Sequence, residues 1–134
     1  MNTKLLMLIL IFASVGCTYG YESYVRATMF TRERLVPTDA EIEVHFEGQP
    51  VARAFRQIAY LEATGKEDAR TSDLVKLLKD KARALGADAV ISVKKGSRAR
   101  ERGDIITDLI ERGDADNYRY EAPVLSGLAV KYVD

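Results

Sequence analysis

SDLVKLLKDKARALGADAVISVK, residues Ser72–Lys94, is the stretch on which the fold turns. Leu74, Leu77, Leu78, Ala82 and Leu85 recur at spacings of three and four, with Lys81 the one polar break. That is a single apolar stripe with a period of about 3.6 residues, the mark of a helix with one buried face. Lys76, Lys79, Asp80 and Arg83 fall on the other faces. Thr71 or Ser72 can accept from an orphan N–H of the first turn, and Asp73 places negative charge at the positive end of the helix dipole. Gly86 stands where a left-handed residue ends a helix. The spacing therefore predicts a helix over about 72–86. ADAVISV follows, with Val90, Ile91 and Val93 β-branched and no charge between Ala89 and Val93. A run this apolar predicts a strand covered on both faces, or nearly so.

Working outward, the N-terminus reads as an export leader. Lys4 gives a basic start, Leu5–Ala13 (LLMLILIFA) an apolar run, and Ser14, Val15 and Gly16 precede Cys17. The apolar run is too short to cross about 30 Å of hydrocarbon, so residues 1–16 read as a signal peptide rather than a membrane span. Cys17 is the only cysteine of the chain. An odd cysteine in an exported protein calls for a reason. SVGC resembles the bacterial lipoprotein signal, which is cleaved before a cysteine that then carries acyl chains such as palmitate. Val15 and Gly16 fit that signal, and Ser14 stands where it favours leucine. The resemblance implies lipidation at Cys17, and Thr18 in place of an aspartate implies sorting to the outer membrane, facing the periplasm. With no second cysteine there is no intrachain disulfide, so stability must come from packing.

The 134 residues carry 20 basic and 20 acidic side chains. Removal of residues 1–16 takes Lys4 and no acid. A charge so close to zero gives no global attraction to nucleic acid.

Between leader and helix, Thr18–Tyr24 (TYGYESY) reads as a short tether with a reach of at most roughly 25 Å. Val25–Leu35 alternates roughly and suits an edge strand. Residues 17–35 thus comprise the lipidated Cys17, the tether and this strand. Residues 36–134 form a single domain. Pro37-Thr38-Asp39 signals a turn. Glu41–Phe46 sets Ile42, Val44 and Phe46 against Glu41, Glu43 and His45, a half-buried strand ended by Gly48 and Pro50. Ala54–Thr64 fits either a helix, by Phe55, Ile58 and Leu61, or a strand, by Ile58, Tyr60 and the closing Gly65. Gly65–Arg70 is a polar loop.

After the central strand, Lys94–Asp104 (KKGSRARERGD) has the composition of a solvated loop. Ile105–Ile110 can pair as a strand, and Glu111–Asn117 reads as a polar turn. Tyr118–Glu121 alternates, Pro123 and Gly127 bracket a break, and Leu128–Val133 is a closing strand. No internal repeat appears. The expected fold class is α+β: one mixed or antiparallel sheet of four to five strands with the helix packed on one face.

Pro50, Phe55, Ile58, Leu61 and Gly65, then Ala82 with Gly86–Ile91, then Gly127 and Ala129, carry a family likeness. The pattern resembles small bacterial envelope lipoproteins similar to the Rcs stress-sensor lipoprotein, and the domain family described as putative heavy-metal binding. The resemblance implies a strand over about Gln57–Ala63. It runs from about Val36 to Lys95 and resumes in the tail. Its motifs are structural rather than catalytic, so it speaks to fold before chemistry. The stress-sensor relatives carry disulfide cysteines, which this chain lacks.

The residues supply little catalytic chemistry. His45 is the only histidine. It sits on the polar side of an alternating strand beside Glu43, whereas a metal site wants three or four converging ligands. Ser92, Ser97 and Ser126 have only His45 as a base, with no spacing that links them. No glycine-rich loop opens a helix. Asp104, Asp108, Glu111, Asp114 and Asp116 lack the order of a calcium loop and read as solvated turns. Lys94, Lys95, Arg98, Arg100 and Arg102 form the sharpest exposed feature, a loop suited to lipid headgroups or an anionic envelope polymer.

The sequence thus predicts a non-catalytic, lipid-anchored envelope protein with a binding, sensing or structural role at the outer membrane. Its partners would be the membrane, through the lipid on Cys17, and an envelope protein or anionic envelope polymer, with no nucleic acid and no cofactor. The alternative is an oligomeric module that binds a small ligand or a metal.

Overall fold

The computed structural model describes residues 18–104 and 118–134. The leader, Cys17, the strand expected at Ile105–Ile110 and the polar turn after it lie outside the described residues. The elements are β1 (Thr18–Tyr19), β2 (Tyr24–Met29), β3 (Glu43–Phe46), β4 (Phe55–Thr64), α1 (Thr71–Ala84), β5 (Ala89–Asp104) and β6 (Tyr118–Tyr132). They form one six-stranded sheet in the order β1-β5-β6-β4-β2, with β3 also paired to β5. The fold is α+β as expected, with six strands where four to five were predicted. All pairings are antiparallel except β3 with β5, which is parallel. Among the described residues no helix is long and apolar enough to cross a membrane.

The helix obeys its stripe. Leu74, Leu78 and Ala82 are buried against Ile58, Leu61, Ala63, Val90, Val93, Leu125 and Ala129 of the sheet, with Ile42 from the chain before β3. Its first residue is preceded by Arg70 rather than by Thr71 or Ser72 at the cap. The Asp73 carboxylate accepts the Arg70 N–H at 2.9 Å, one arm of a capping box. At the other end Ala87 N–H reaches Ala82 O at 3.0 Å and Gly86 N–H reaches Arg83 O at 3.0 Å, the two bonds of a Schellman stop. Gly86 has φ of +73°, and a Cβ on it would lie 2.5 Å from Val36 O. The stop and the passing 35–36 segment therefore both require glycine.

β5 is the hub of the sheet. Its first residues are covered on both faces, as their composition predicts. Val90 and Val93 face the helix, while Ala89 and Ile91 join Val130, Val51, Leu128 and Tyr132 on the opposite face. Strict alternation would put Val93 with Ile91. A bulge between Ile91 and Lys94 changes the parity, with Ser92 at φ of 52°. The partner strand accommodates it through Gly127, where a Cβ would stand 2.7 Å from Val90 Cγ1 and 2.9 Å from Val93 Cγ2.

Several expectations are corrected here. Lys94–Asp104 is not a loop but the second half of β5, paired residue by residue with β6 from Lys94↔Ser126 to Arg102↔Tyr118. Pro123 and Gly127 bracket no break, because β6 runs through both. Pro123 is tolerated because its ring nitrogen points at the end of β4. Gly65 N–H donates to Pro123 O at 2.7 Å, and the bond that would return from residue 123 is replaced by Arg100 Nη1 donating to Gly65 O at 3.0 Å. The tether is also shorter than expected. Thr18 and Tyr19 pair with Asp104 and Gly103, and Tyr24 opens the edge strand β2. The strands expected over 41–46 and 57–63 are present as β3 and β4, and the helix begins and ends one or two residues earlier than predicted.

Packing at the bulge yields a direct expectation. Gly127→Val should destabilise the fold by about 1–3 kcal/mol, because the new side chain must displace Val90 and Val93. Gly96→Ala, whose Cβ would meet only Val124 Cβ at 4.0 Å, should stay within about 0.5 kcal/mol of the parent. Urea unfolding of the two variants side by side measures both.

Candidate functional site

The basic row lies along the second half of β5. Lys94, Arg98, Arg100 and Arg102 fall on one face by alternation, and Lys95 falls on the other. The three arginines are engaged within the molecule. Arg98 pairs with Glu62 at 2.7 Å. Arg100 donates to Gly65 O and lies over the Tyr24 ring at 5.0 Å. Arg102 bonds Glu67 at 2.5 Å and sits between the Tyr118 ring at 4.3 Å and the Tyr21 ring at 5.5 Å. Tyr118 Oη donates to the second oxygen of Glu67 at 2.7 Å, and Tyr120 Oη donates to Gly20 O at 2.6 Å. The Glu67 bond pushes the Tyr118 hydroxyl above the usual tyrosine range.

These arginines therefore hold the 65–70 loop and the N-terminal strands onto the β5–β6 ribbon. Half-exposed pairs of this kind contribute about 0–1 kcal/mol each. The bond to the Gly65 carbonyl matters more, since that group would otherwise lose its partner. A hollow of about 340 Å³ beside the ribbon is lined by Gly20, Tyr21, Lys66, Glu67, Asp68 and Arg102. Acidic and basic side chains alternate in it, which gives it no preference for either sign of ligand.

Lys94 and Lys95 differ from the arginines. Both are exposed, and among the described residues neither makes an ion pair. They open the one part of β5 that has β6 on one side and no described strand on the other. β3 pairs with β5 as far as Phe46↔Val93, and Glu47 N–H still reaches Val93 O at 2.9 Å. β1 resumes the pairing at Tyr19↔Gly103. Residues 94–99 between them are all exposed. This open edge could not be found from the sequence, because it depends on strand order.

A second polar cluster occupies the opposite end of the sheet. Glu43 Oε2 accepts from Tyr132 Oη at 2.5 Å and pairs with His45 Nε2 at 3.1 Å. Arg53 lies over the Tyr132 ring at 4.0 Å. The Tyr132 bond and then His45 hold the Glu43 carboxyl below its usual range. Burial and then the Glu43 bond push the Tyr132 hydroxyl up to about 12. The sequence placed His45 beside Glu43 correctly and missed Tyr132, which arrives from β6. Among the described residues no group of three His, Cys, Asp or Glu converges on a point that could hold a metal. Of the three serines, Ser92 and Ser97 are exposed on β5 and Ser126 is 5% exposed in β6.

Cys17, expected to carry lipid, and the acidic residues Asp108, Glu111, Asp114 and Asp116 lie outside the described residues. Searches against protein-family models, curated proteins and solved structures find no match to this chain.

Two outcomes follow from these contacts. Arg100→Leu should destabilise by about 1–3 kcal/mol by stranding the Gly65 carbonyl, read by thermal or urea unfolding. Tyr132 has a folded pKa raised from 10.0 to about 12, so its contribution is complete below pH 10 and is lost as pH rises toward 12. Tyr132→Phe should lose about 1 kcal/mol at neutral pH through the missing hydrogen bond and should flatten the alkaline decline. Urea midpoints taken across that range, with tyrosinate absorbance as the titration readout, check it.

Proposed function

We propose that this chain is a lipid-anchored, non-catalytic protein of the bacterial cell envelope that binds or senses a partner at the periplasmic face of the outer membrane. The observation that carries the reading is Cys17, the only cysteine, standing directly after Lys4, the apolar run Leu5–Ala13 and Ser14-Val15-Gly16, which read as an export leader. Acyl chains there would supply the anchor. One chain alone is marginal at about 0.8 kcal/mol per buried CH₂, so firm anchoring takes more than one.

The start of the domain supports this reading. β1 begins one residue after Cys17 and pairs at once with the end of β5, and Tyr120 fastens the following Gly20. A lipid on Cys17 would therefore hold the domain against the bilayer rather than on a free stalk. Exposed Tyr21 and Tyr118 lie at this end, beside Arg102. Amphipathic rings with a cation between them suit the headgroup region.

The non-catalytic part of the reading draws on the residues that carry the family likeness. Ala82, Gly86, Ile58, Leu61, Gly127 and Ala129 all have structural roles in the core, at the helix stop or at the bulge. The likeness to small envelope lipoproteins is thus a likeness of scaffold, and its use here is to display surfaces.

Metabolic labelling with a fatty acid tests the anchor. The wild type should be labelled and sediment with membranes, and Cys17→Ser should be unlabelled and soluble. A wild-type chain that carries no acyl group would end the proposal.

A further inference from the structure

We propose that the open edge of β5 between β3 and β1 is a docking slot for an extended acidic segment of another protein, which adds to the sheet as a strand. The inference stands on the edge geometry and holds whether or not Cys17 is acylated.

The register fixes which backbone groups are open. Gly65 N–H donates to Pro123 O, so the main-chain groups of Pro123 face β4. Those of Ala122 and Val124 then face β5, and their partners Arg98 and Gly96 face β6. Lys95, Ser97 and Ala99 consequently turn their N–H and C=O groups away from the sheet. Val93 O, accepting from Glu47, points the same way before the slot, and the Gly103 pairing with Tyr19 continues it after the slot.

The slot is bounded at both ends. Glu47 closes it above, where Gly48 at φ of +86° turns the chain away. Gly20 closes it below, lying directly against Glu101 and Arg102. Residues 94–100 remain, which at about 3.3 Å per residue offer roughly 20 Å of ladder. Gly96, Ser97 and Ala99 present little side chain to obstruct an incoming backbone.

Charge selects the occupant. Lys94 and Lys95 project from opposite faces at one end of the slot, exposed and without ion pairs among the described residues. An added strand with carboxylates on both faces would meet one lysine on each. Lysine on an edge is a device against indiscriminate pairing. Here it acts against neutral or basic strands and against a second copy of this chain. Antiparallel self-pairing about Ser97 would set Lys94 opposite Arg100, a destabilising like-charge pair. Strand addition of this type draws affinity from main-chain bonds and specificity from side chains.

The test uses the full chain in detergent and two capped heptapeptides, one repeating threonine-glutamate-glutamate and the other threonine-lysine-lysine, so that each carries charge on both faces of an added strand. Hydrogen exchange over residues 94–100 should slow about tenfold with the glutamate peptide and not with the lysine peptide. Ser97→Pro removes an outward N–H and leaves the β6 ladder intact, so it should fold normally and lose the protection. Lys94→Glu with Lys95→Glu should reverse the peptide preference, which keeps the test decisive if the proline variant fails to fold. The proposal is overturned if exchange in this segment is already slow in the free chain, since the slot would then be filled from within. It is equally overturned if neither peptide protects the segment, including the case where the lysine variants lose only binding to phosphatidylglycerol vesicles.

Discussion

The arrangement depends most on one backbone irregularity, the bulge at Ser92 seated over Gly127. A strand alternates its faces strictly, so a shift of one residue exchanges core and solvent for everything beyond it. Before the bulge β5 gives Val90 to the helix side and Ala89 and Ile91 to the other. Continued alternation would turn Val93 away from the helix and Lys94 into it. The extra residue keeps Val93 in the core and assigns Lys94, Arg98, Arg100 and Arg102 to the far face. Gly127 is the complement of this choice, because any side chain there would occupy the space that Val90 and Val93 fill.

Past the bulge the ribbon is held by different physics. The helix covers the early part of β5 and the middle of β6, where apolar burial dominates. Beyond it the β5–β6 ribbon is stabilised by its ladder and by arginine side chains laid across tyrosine rings. Their aliphatic stems cover the sheet while their charges reach Glu62, Glu67 and the Gly65 carbonyl. Arg100 supplies the hydrogen bond that Pro123 cannot. Exposed ion pairs are weak and sensitive to salt, so this end of the sheet opens more easily than the helix-covered end.

How much of this was legible in the sequence follows from the same division. The helix, its glycine stop and the strand at 43–46 were readable because each buries one face against the core and so carries a period. The strand at 55–64 was ambiguous by period, because the register shift between Gln57 and Ala59 breaks its alternation, and only the family resemblance implied a strand there. The Lys94–Asp104 segment was not, because its strand buries no apolar stripe and its composition is that of a loop. Its conformation is imposed by β6, whose residues 118–132 offer a continuous partner. The break expected at Pro123 and Gly127 failed for related reasons. Proline's missing N–H falls where β4 ends, and glycine answers the bulge. β1 comprises two residues, too few to show any pattern. The sequence grouped the five cations as one exposed feature, and only the partners Glu62, Gly65, Glu67 and Tyr24 divide the three engaged arginines from two lysines that make no ion pair among the described residues.

The two lateral edges of the sheet are treated differently, and the difference follows from the chain path. β2 is a short edge, and the chain leaving it runs back to the helix end, where Thr38 N–H meets Arg83 O at 3.1 Å and Leu35 packs on the core. β5 is too long for either of its edge partners to cover. β3 enters parallel from the helix side and must turn away at Gly48 to begin β4, while β1 enters antiparallel from the N-terminal end and must turn at Gly20 to reach β2. Neither can extend toward the other without lengthening a connection that the fold uses elsewhere. The interval between them, which no described strand covers, is therefore a consequence of topology, and its exposed lysines and small residues are the groups that an unpaired edge presents.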